Sequence, residues 1–581
     1  MPSTSSLNIG LSALLAHRLA LETTGHNIAN VDTPGFSRQR AVLDPRLAQH
    51  RTEGILGRGA TVTTVEQIVD EFIEERLRDV TSLKHDTAEL ARSYDEIEVL
   101  FNELSEQDLS TSFDNFFSSL HDLANNAEDQ STRAAVVQQA LSLRDQFNQM
   151  RGAMEDLRAR IDTNIVASVE KVNEIIQSLK GLNVEIARSE KGGATNLHAN
   201  DLRDQRTLLL RDLAEFMDVQ TFEQPNGMVN VTVHGRPLVL MDRGLPLSWR
   251  WTNSPDGMPV REVVFGDGSI FSPTQGRLRA MIDVRDSILP SFESDLDELA
   301  GTLAHTFNRI HSTGVGLQAY STLTSSNAAL DKLATLDALD LGFTPPPDTF
   351  QIQNGSFVIN LRNETTGEVT QVLIDVDLDG VGTDTTLDDP VGGTGLVQTI
   401  NAAVPAGTVT ASTDLQGHFV LSANGPNTTF WFTDDTSGAL ATLGVAGFFT
   451  GHDAATLDVS PVIQTEDFRL ATGRSFVPGD NTNILDLAGV RDLQVFASGT
   501  RSLDDAYQAV VGRLGVEAAR VRDRGAVADD LVRQIEQERE SLSGVSLDEE
   551  ITKMITFQRG YQAGARFISV VDDLLETLIA M

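Results

Sequence analysis

The most regular pattern in the chain is an alternation of four and three residues near its end. Leu547, Ile551, Met554, Gln558, Tyr561, Ala565, Ile568, Asp572, Leu575 and Ile579 follow it, and all but Gln558 and Asp572 are apolar. Such spacing predicts a helix whose seam pairs with other helices, and Ile555, Val571, Leu574 and Leu578 widen the stripe. Ser546 followed by Glu549 has the form of a capping box, and Asp548, Glu549 and Glu550 set negative charge at the positive end of the helix dipole. The pattern continues to the last residue, so this seam is expected to need a partner. The first thirty residues offer one: Leu7, Leu11, Leu14, Arg18, Leu21, Gly25 and Ile28 share the spacing, with Leu15 beside them. Gly25 costs about 1 kcal/mol relative to alanine. The helix is expected to stop at Thr33, because Pro34 disfavours helix in the residue before it and Pro34-Gly35 suits a turn.

Between these ends the period changes several times. Residues 35–62 read as short strands and turns, and a helical period is expected from Thr64 through Leu83, continuing with turns near Gln107 and Glu128. Ile161, Ile165, Val172, Ile175, Leu179, Leu182 and Ile186 mark a long seam that Gly192-Gly193 should break. A short helix over about 201–217 precedes alternating strands, with Asn226-Gly227 as the hairpin turn. Residues 276–311 are again helical, 312–345 form a polar connector ending in Pro345-Pro346-Pro347, and a Gly/Thr/Asp-rich stretch of short strands follows. Leu503, Tyr507, Val510, Leu514, Val521, Leu531 and Ile535 carry a last long seam. The fold class expected is α+β multidomain, with paired terminal coiled-coil helices, a long-helix bundle and an inserted β-rich outer domain. The divisions are 1–62 with 543–581 for the terminal helical assembly domain and 63–320 with 456–542 for the bundle. The bundle contains a β-hairpin segment at about 218–275, and the inserted domain covers 345–455.

Composition narrows the partners. The 581 residues carry a formal net charge of −38 and no cysteine, with 40% hydrophobic residues. So acidic a surface argues against nucleic acid and against an anionic membrane surface, and it leaves any assembly to buried apolar seams. Disulfides, a thiol nucleophile and a cysteine zinc site are excluded. No apolar run is long enough to insert in a membrane, and no cleavable leader is expected, since the first basic residue is Arg18.

Candidate chemistry is sparse. Asp375-Val376-Asp377-Leu378-Asp379-Gly380 begins like a calcium loop, in which Asp375, Asp377 and Asp379 would offer oxygen ligands. Position twelve, however, is Thr386 instead of a bidentate Glu, and the flanks read as strands, so an acidic β-turn fits as well. His305 and His311 lie six apart, off a shared helix face. No metalloprotease, nucleophile-elbow or phosphate-loop motif occurs. Neither a catalytic site nor a cofactor is expected.

The two ends carry a resemblance. Asn27-Ile28-Ala29-Asn30-Val31-Asp32-Thr33-Pro34-Gly35-Phe36-Ser37 resembles the N-terminal signature of the axial proteins of the bacterial flagellum, the rod, hook and hook-associated proteins. Asn27, Asn30, Thr33, Pro34, Gly35 and Phe36 are its signature positions. Residues from Gly544 through Tyr561-Gln562-Ala563 to Arg566 resemble the C-terminal signature of the same superfamily. Inside, Asn200–Arg206, Gly276–Leu278 with Asp283–Pro290, and Asn308–His311 resemble the hook-associated junction branch, and long helices over 64–217 favour it over a hook or distal-rod subunit. The resemblance implies a structural adaptor, exported by the flagellar type III system without a cleaved signal. It would polymerise as a homo-oligomeric ring between hook protein and a second hook–filament junction protein, outside the cell. It also implies an export chaperone on the C-terminal helix, and assembly through Leu7, Leu11, Leu14, Leu21, Ile28, Leu547, Ile551, Met554, Tyr561, Ile568, Leu575 and Ile579. A secreted calcium-binding or hydrolytic protein with helical stalks is the alternative of another class.

Overall fold

The structure is a computed structural model that describes residues 3–51, 54–101, 108–190, 198–342, 351–496 and 499–580. The chain opens with helix α1 (Ser3–Ala29) and the strands β1 (Gln39–Pro45), β2 (Gln49–Arg51), β3 (Gly54–Leu56) and β4 (Ala60–Gln67). Helices α2 (Glu71–Phe101), α3 (Leu109–Asn125), α4 (Gln130–Glu190) and α5 (Asn200–Ala214) follow. A four-stranded antiparallel sheet comes next, of β5 (Gln220–Glu223), β6 (Val229–Val233), β7 (Arg236–Leu240) and β8 (Arg243–Gly244), then the pair β9 (Ser248–Asn253) and β10 (Pro259–Val264). Helix α6 (Arg277–Asp283) leads through a π-helical turn at Val284–Ile288 into α7 (Leu289–His311). The β-rich stretch holds β11 (Thr322–Ala328), β12 (Gly355–Asn363), β13 (Val369–Val376), α8 (Leu396–Ala403), β14 (Val409–Thr413), β15 (His418–Ala423) and β16 (Thr428–Thr433). Short helices α9 (Ala439–Leu443), α10 (Pro461–Thr465) and α11 (Thr482–Ala488) precede the long α12 (Leu503–Ser543) and α13 (Leu547–Ala580). This is the α+β multidomain class that the pattern predicts.

The chain falls into two compact units, and α2, α4 and α12 divide their residues between them. The first holds residues 1–93, 159–286 and 518–581. Its helical core includes Ile73 and Leu77 of α2 against Val532 and Ile535 of α12. On β6, Val229, Val231 and Val233 point inward while Asn230 and Thr232 alternate with them. The Asn226-Gly227 turn closes this hairpin with Gly227 at φ 79°, a conformation open to glycine. Arg285 is buried against Asp162 at 2.7 Å.

The second unit holds residues 94–158 and 287–517. A run of aromatic contacts fills its helical part: Phe116 to Phe307 at 5.5 Å, Phe307 to Phe448 at 5.0 Å, and Phe448 to Phe449 edge-on at 4.8 Å. Arg158 and Glu293 form a buried ion pair at 3.3 Å. The β-rich part has a core of its own, where Phe357, Ile359, Ile374, Phe419, Leu421, Phe430 and Phe432 meet Leu396 and Ile400 of α8. Its sheets are β13-β12-β16 and β11-β15-β14.

Three sequence expectations are corrected. Thr64 and Val65 belong to β4, because the β-branched run Thr61-Val62-Thr63-Thr64-Val65 pairs with β1. Helix α2 then starts at Glu71, where the Asp70 carboxylate accepts the Phe72 N–H at 2.9 Å. Residues 322–328, expected in a polar connector, form β11 against β15; only Leu323 and Ser325 are buried, so no apolar alternation announced the strand. The helix over 276–311 is interrupted by the π turn, where Pro290 lacks the N–H that a regular turn needs. Gln107, Gly192-Gly193 and Pro345–Pro347 lie outside the described residues.

One buried group sets an acid limit on the second unit. The His311 Nδ1–H donates to the Ala446 carbonyl at 2.8 Å, and the Ala471 N–H donates to Nε2 at 3.0 Å. Both nitrogens are thus committed in the neutral ring. Burial pushes its pKa down to about 4 from 6.5. Between those values the unfolded chain binds the proton that the folded chain refuses, so stability is present above pH 6.5 and falls as pH drops toward 4. The expected loss is up to about 3 kcal/mol, read from urea unfolding at pH 7 and pH 4.5 with buried Trp431 as the probe. A His311→Asn chain should lose much of this pH dependence; an unchanged dependence would remove His311 as its cause.

Candidate assembly surface

Helices α1 and α13 pack antiparallel, and glycine sets how closely. A Cβ on Gly10 would stand 2.7 Å from Ile568 Cγ1, one on Gly560 2.6 Å from His17 Cε1, and one on Gly564 3.4 Å from Leu14 Cγ. The His17 ring lies 6.2 Å from that of Phe557. Leu7, Leu21 and Ile28 share the helix face of Leu14 by their seven-residue spacing and are half-buried. On α13, Met554, Phe557, Ile568 and Leu575 are half-buried and Val571 is buried.

A second face of α1 is made of small and polar residues. Ser12, Ala16, Ala20, Thr23, Thr24 and Asn27 are buried there, and Gly59, next to β4, lies against the Ser12 hydroxyl. The threonine hydroxyls return to the helix, Thr23 to Leu19 O and Thr24 to Ala20 O, each at 2.9 Å. They need no other partner.

The third face is uncovered. Leu11 is 49% and Leu15 48% exposed, with Leu19 one turn further on. On α13, Leu547, Ile551, Ile555 and Tyr561 are exposed, and past the glycines so are Phe567, Val570 and Leu574. The predicted seam positions therefore divide. Leu7, Leu14, Leu21, Ile28, Met554, Ile568 and Leu575 turn inward, whereas Leu11, Leu547, Ile551 and Tyr561 turn outward. The Ile579 side chain lies outside the described residues. Leu19, Phe567 and Val570 were missed, because a single four-three seam follows one stripe of a helix that is apolar on several sides.

The signature residues build the joint that holds this pair. Asn27, 1% exposed, donates through Nδ2 to the Gln39 carbonyl at 2.8 Å and accepts the Gln39 N–H at 2.9 Å. The same Nδ2 donates to Glu550 at 2.9 Å, and Lys553 holds the other Glu550 oxygen at 2.7 Å. One amide thus ties α1, β1 and α13. Arg38 adds a second tie: its guanidinium pairs with Glu549 at 2.9 Å and its N–H donates to the Ser543 carbonyl, also at 2.9 Å. Glu549 is therefore engaged by Arg38, on another element, at the place where the capping box was expected.

The turn after α1 explains the remaining signature. Asn30 Nδ2 donates to the His26 carbonyl at 3.0 Å, and the Thr33 hydroxyl donates to Asn30 Oδ1 at 3.1 Å. Pro34 and Gly35 are the central residues of a type II turn closed by Phe36 N–H to Thr33 O, with Gly35 at φ 77°. Phe36 stacks edge-on against His26 at 5.5 Å. Asp204 of α5 then receives the Ser37 N–H at 3.2 Å and Gln67 Nε2 at 2.5 Å. Burial raises the Asp204 pKa to about 6 despite those donors.

The acidic loop is arranged differently from its sequence pattern. Asp375 points to solvent from β13, opposite Ser356. Asp377, Asp379 and Asp384 bring ligand oxygens within 4.8 Å of one another. Some of that oxygen capacity is used internally, since Gly380 N–H donates to Asp384 and Val381 N–H to Asp379. Thr386 bridges to Thr335 and Gly395, so the helix-flanked frame of a calcium loop is absent here.

The joint gives a direct test. Asn27→Asp sets a second carboxylate against buried Glu550 and removes the donor to Gln39, a cost of about 3 kcal/mol on docking of the terminal pair. Hydrogen exchange should then quicken in α1 and α13 while the β-rich core is unchanged; equal protection in both chains would refute the joint.

Comparison with known proteins agrees with this geometry. The model for the flagellar hook-associated protein FlgK helical domain matches residues 94–322. The flagella basal body rod protein model matches residues 7–36, and the flagellar basal body rod FlgEFG protein C-terminal model matches 536–581. Flagellar hook-associated protein 1 of Escherichia coli (strain K12) is 26% identical, with 99% of each chain aligned. That of Bacillus subtilis (strain 168) is 25% identical over 98% of this chain and 96% of its own. The solved structure of the flagellar hook junction protein FlgK from Burkholderia pseudomallei shares the fold, with a TM-score of 0.50 and 17% identity over 81% of this chain and all of that one. Both terminal signatures, the helical domain between them and full-length relatives agree: over its whole length the chain is similar to flagellar hook-associated protein 1.

Proposed function

We propose that this chain is the structural subunit that joins hook to filament. The observation that carries the proposal is the uncovered third face of the terminal pair. Two long helices already pack on each other and on the strands behind α1, yet they still present Leu11, Leu15 and Leu19 on one side and Leu547, Ile551 and Ile555 on the other. A helix apolar on more sides than its own chain can cover is built for a multi-helix assembly. Neighbouring copies in a homo-oligomeric ring would bury these stripes, with hook protein on one side and a second junction protein on the other. The three-part division at 1–62 with 543–581, 63–320 with 456–542, and 345–455 describes this assembled subunit.

Export by the flagellar type III system and an extracellular place at the junction follow from the same proposal. The C-terminal helix is the segment a chaperone would shield before export, since its outward apolar residues would otherwise associate early. Among the described residues, no helix is long and apolar enough to cross a membrane. The role is mechanical instead of enzymatic.

Outward and inward positions separate assembly from folding. Ile551→Lys and Leu15→Lys should leave thermal unfolding within about 0.5 kcal/mol of the parent, as expected for exposed sites. The same changes should abolish incorporation at hook tips and motility in a complemented strain. Ile568→Asp, which meets Gly10, should lose both docking and assembly. Normal filaments in the Ile551→Lys strain would sink the proposal.

A further inference from the structure

The hairpin of β9 and β10 has one strand built into the first unit and one left outside. On β10, Val260, Val263 and Val264 are buried, whereas every residue of β9 is exposed except half-buried Thr252. β9 nevertheless carries two tryptophans, Trp249 at 42% and Trp251 at 60% exposure. The outer edge of β10 is occupied. The Arg261 N–H donates to Asp162 at 3.0 Å, the Arg261 carbonyl accepts from Arg285 at 2.8 Å, and the Val263 carbonyl accepts the Phe271 N–H at 2.9 Å. Arg261 and Val263 thus turn their backbone groups away from β9, so their opposite residues, Trp251 and Trp249, turn theirs away from β10. Asn253, opposite Pro259 with no N–H to give, falls in the same phase. Among the described residues, nothing pairs with the outward N–H and C=O groups of Trp249, Trp251 and Asn253.

Open strand edges are ordinarily guarded by proline, lysine or a bulge. β9 has no proline or lysine, and its register with β10 runs unbroken. Its one charge, Arg250, is held by Glu262 at 2.6 Å. Arg261, stacked over the two indoles at 5.0 and 5.4 Å, is paired with Asp162 at 3.6 Å. A partner recognised by charge therefore finds both cations already committed. What the edge offers is backbone groups and indole faces, which complement themselves. We propose that β9 is a docking edge for β9 of a second copy of this chain. With the strands antiparallel about Trp251, it meets the partner's Trp251 and Trp249 meets the partner's Asn253, each pair exchanging two backbone hydrogen bonds. Arg250 then lies opposite the partner's Thr252, avoiding the like-charge contact of a register centred on Arg250. Because the hairpin's arginines are neutralised within each copy, two chains of net charge −38 can meet here without setting unpaired acid against acid. A twofold contact closes on itself and uses neither terminal stripe, so it stands apart from the ring proposed above. One strand pair buries less than the roughly 1,200 Å² of a standard interface, so the dimer is weak.

Sedimentation velocity tests this on the full-length chain carrying Ile551→Lys, which sets a charge in the outward stripe of α13, from about 5 to 200 μM. A reversible monomer–dimer equilibrium is expected. Trp251→Lys should weaken it at least tenfold. Asn253→Pro, which removes one outward N–H and leaves both tryptophans and every charge in place, should also weaken it. Both sites are exposed, so melting temperatures should stay within about 2 °C of the parent. Hydrogen exchange at the Trp249 and Trp251 amides should slow as concentration rises. A chain that stays monomeric throughout, a dimer undiminished in Trp251→Lys, or concentration-dependent protection confined to other segments would each overturn the inference.

Discussion

The terminal architecture depends on one buried primary amide. Asn27 offers two donor hydrogens and an acceptor oxygen, and all are used: two on the Gln39 backbone and one on Glu550. The residues it joins lie at opposite ends of the sequence. Because the site is nearly dry, every unmade bond would cost about 1–3 kcal/mol, so the three segments come together or not at all. Glutamine would overreach, aspartate would oppose Glu550, and leucine would leave both polar partners unmet. The Arg38 ties to Glu549 and Ser543 then fix where α12 ends and α13 begins.

With the joint fixed, the glycines decide what the helices bury. Gly10, Gly560 and Gly564 let α1 and α13 approach at close range, and at that range each helix has room to cover only a narrow strip of the other. The small face of α1, Ala16 and Ala20 with the two threonines, is used up against the strands behind it. The larger leucines are left outside. Close packing of the two helices and uncovered apolar stripes are thus two results of the same residue choice.

Much of this was legible in the sequence, and what was not has physical causes. The long helices and the hairpin at Asn226-Gly227 were readable because their periods are strong and their ends carry caps or turns. Strand β11 was not, since Thr322–Ala328 is held by pairing with β15 and shows no apolar alternation. The π turn before Pro290 is a local accommodation that a period of 3.6 does not foresee. At the assembly surface, the terminal seams were visible as patterns, but the pattern does not say which side of each helix the chain covers itself. Leu14 and Leu11 look alike in sequence; Gly564 covers the first, while among the described residues the second is left 49% exposed. Asp384 likewise joins Asp377 and Asp379 only through the loop, so spacing pointed to Asp375 instead.

The acidic surface and the apolar stripes act at different ranges. At physiological salt, charges are screened beyond about 8 Å, so a net charge of −38 opposes contact between copies mainly in the last stage of approach. Apolar burial acts only once surfaces touch, at about 25 cal/mol per Å². Two free chains meeting at random therefore bring acidic surface together with little apolar area to offset it. A chain held in register at a growing end can bury the stripes of both terminal helices at once, and the same charge no longer decides the outcome. In the proposed assembly the acidic composition therefore works with the exposed leucines, disfavouring their association except where an assembled end would present complementary helices.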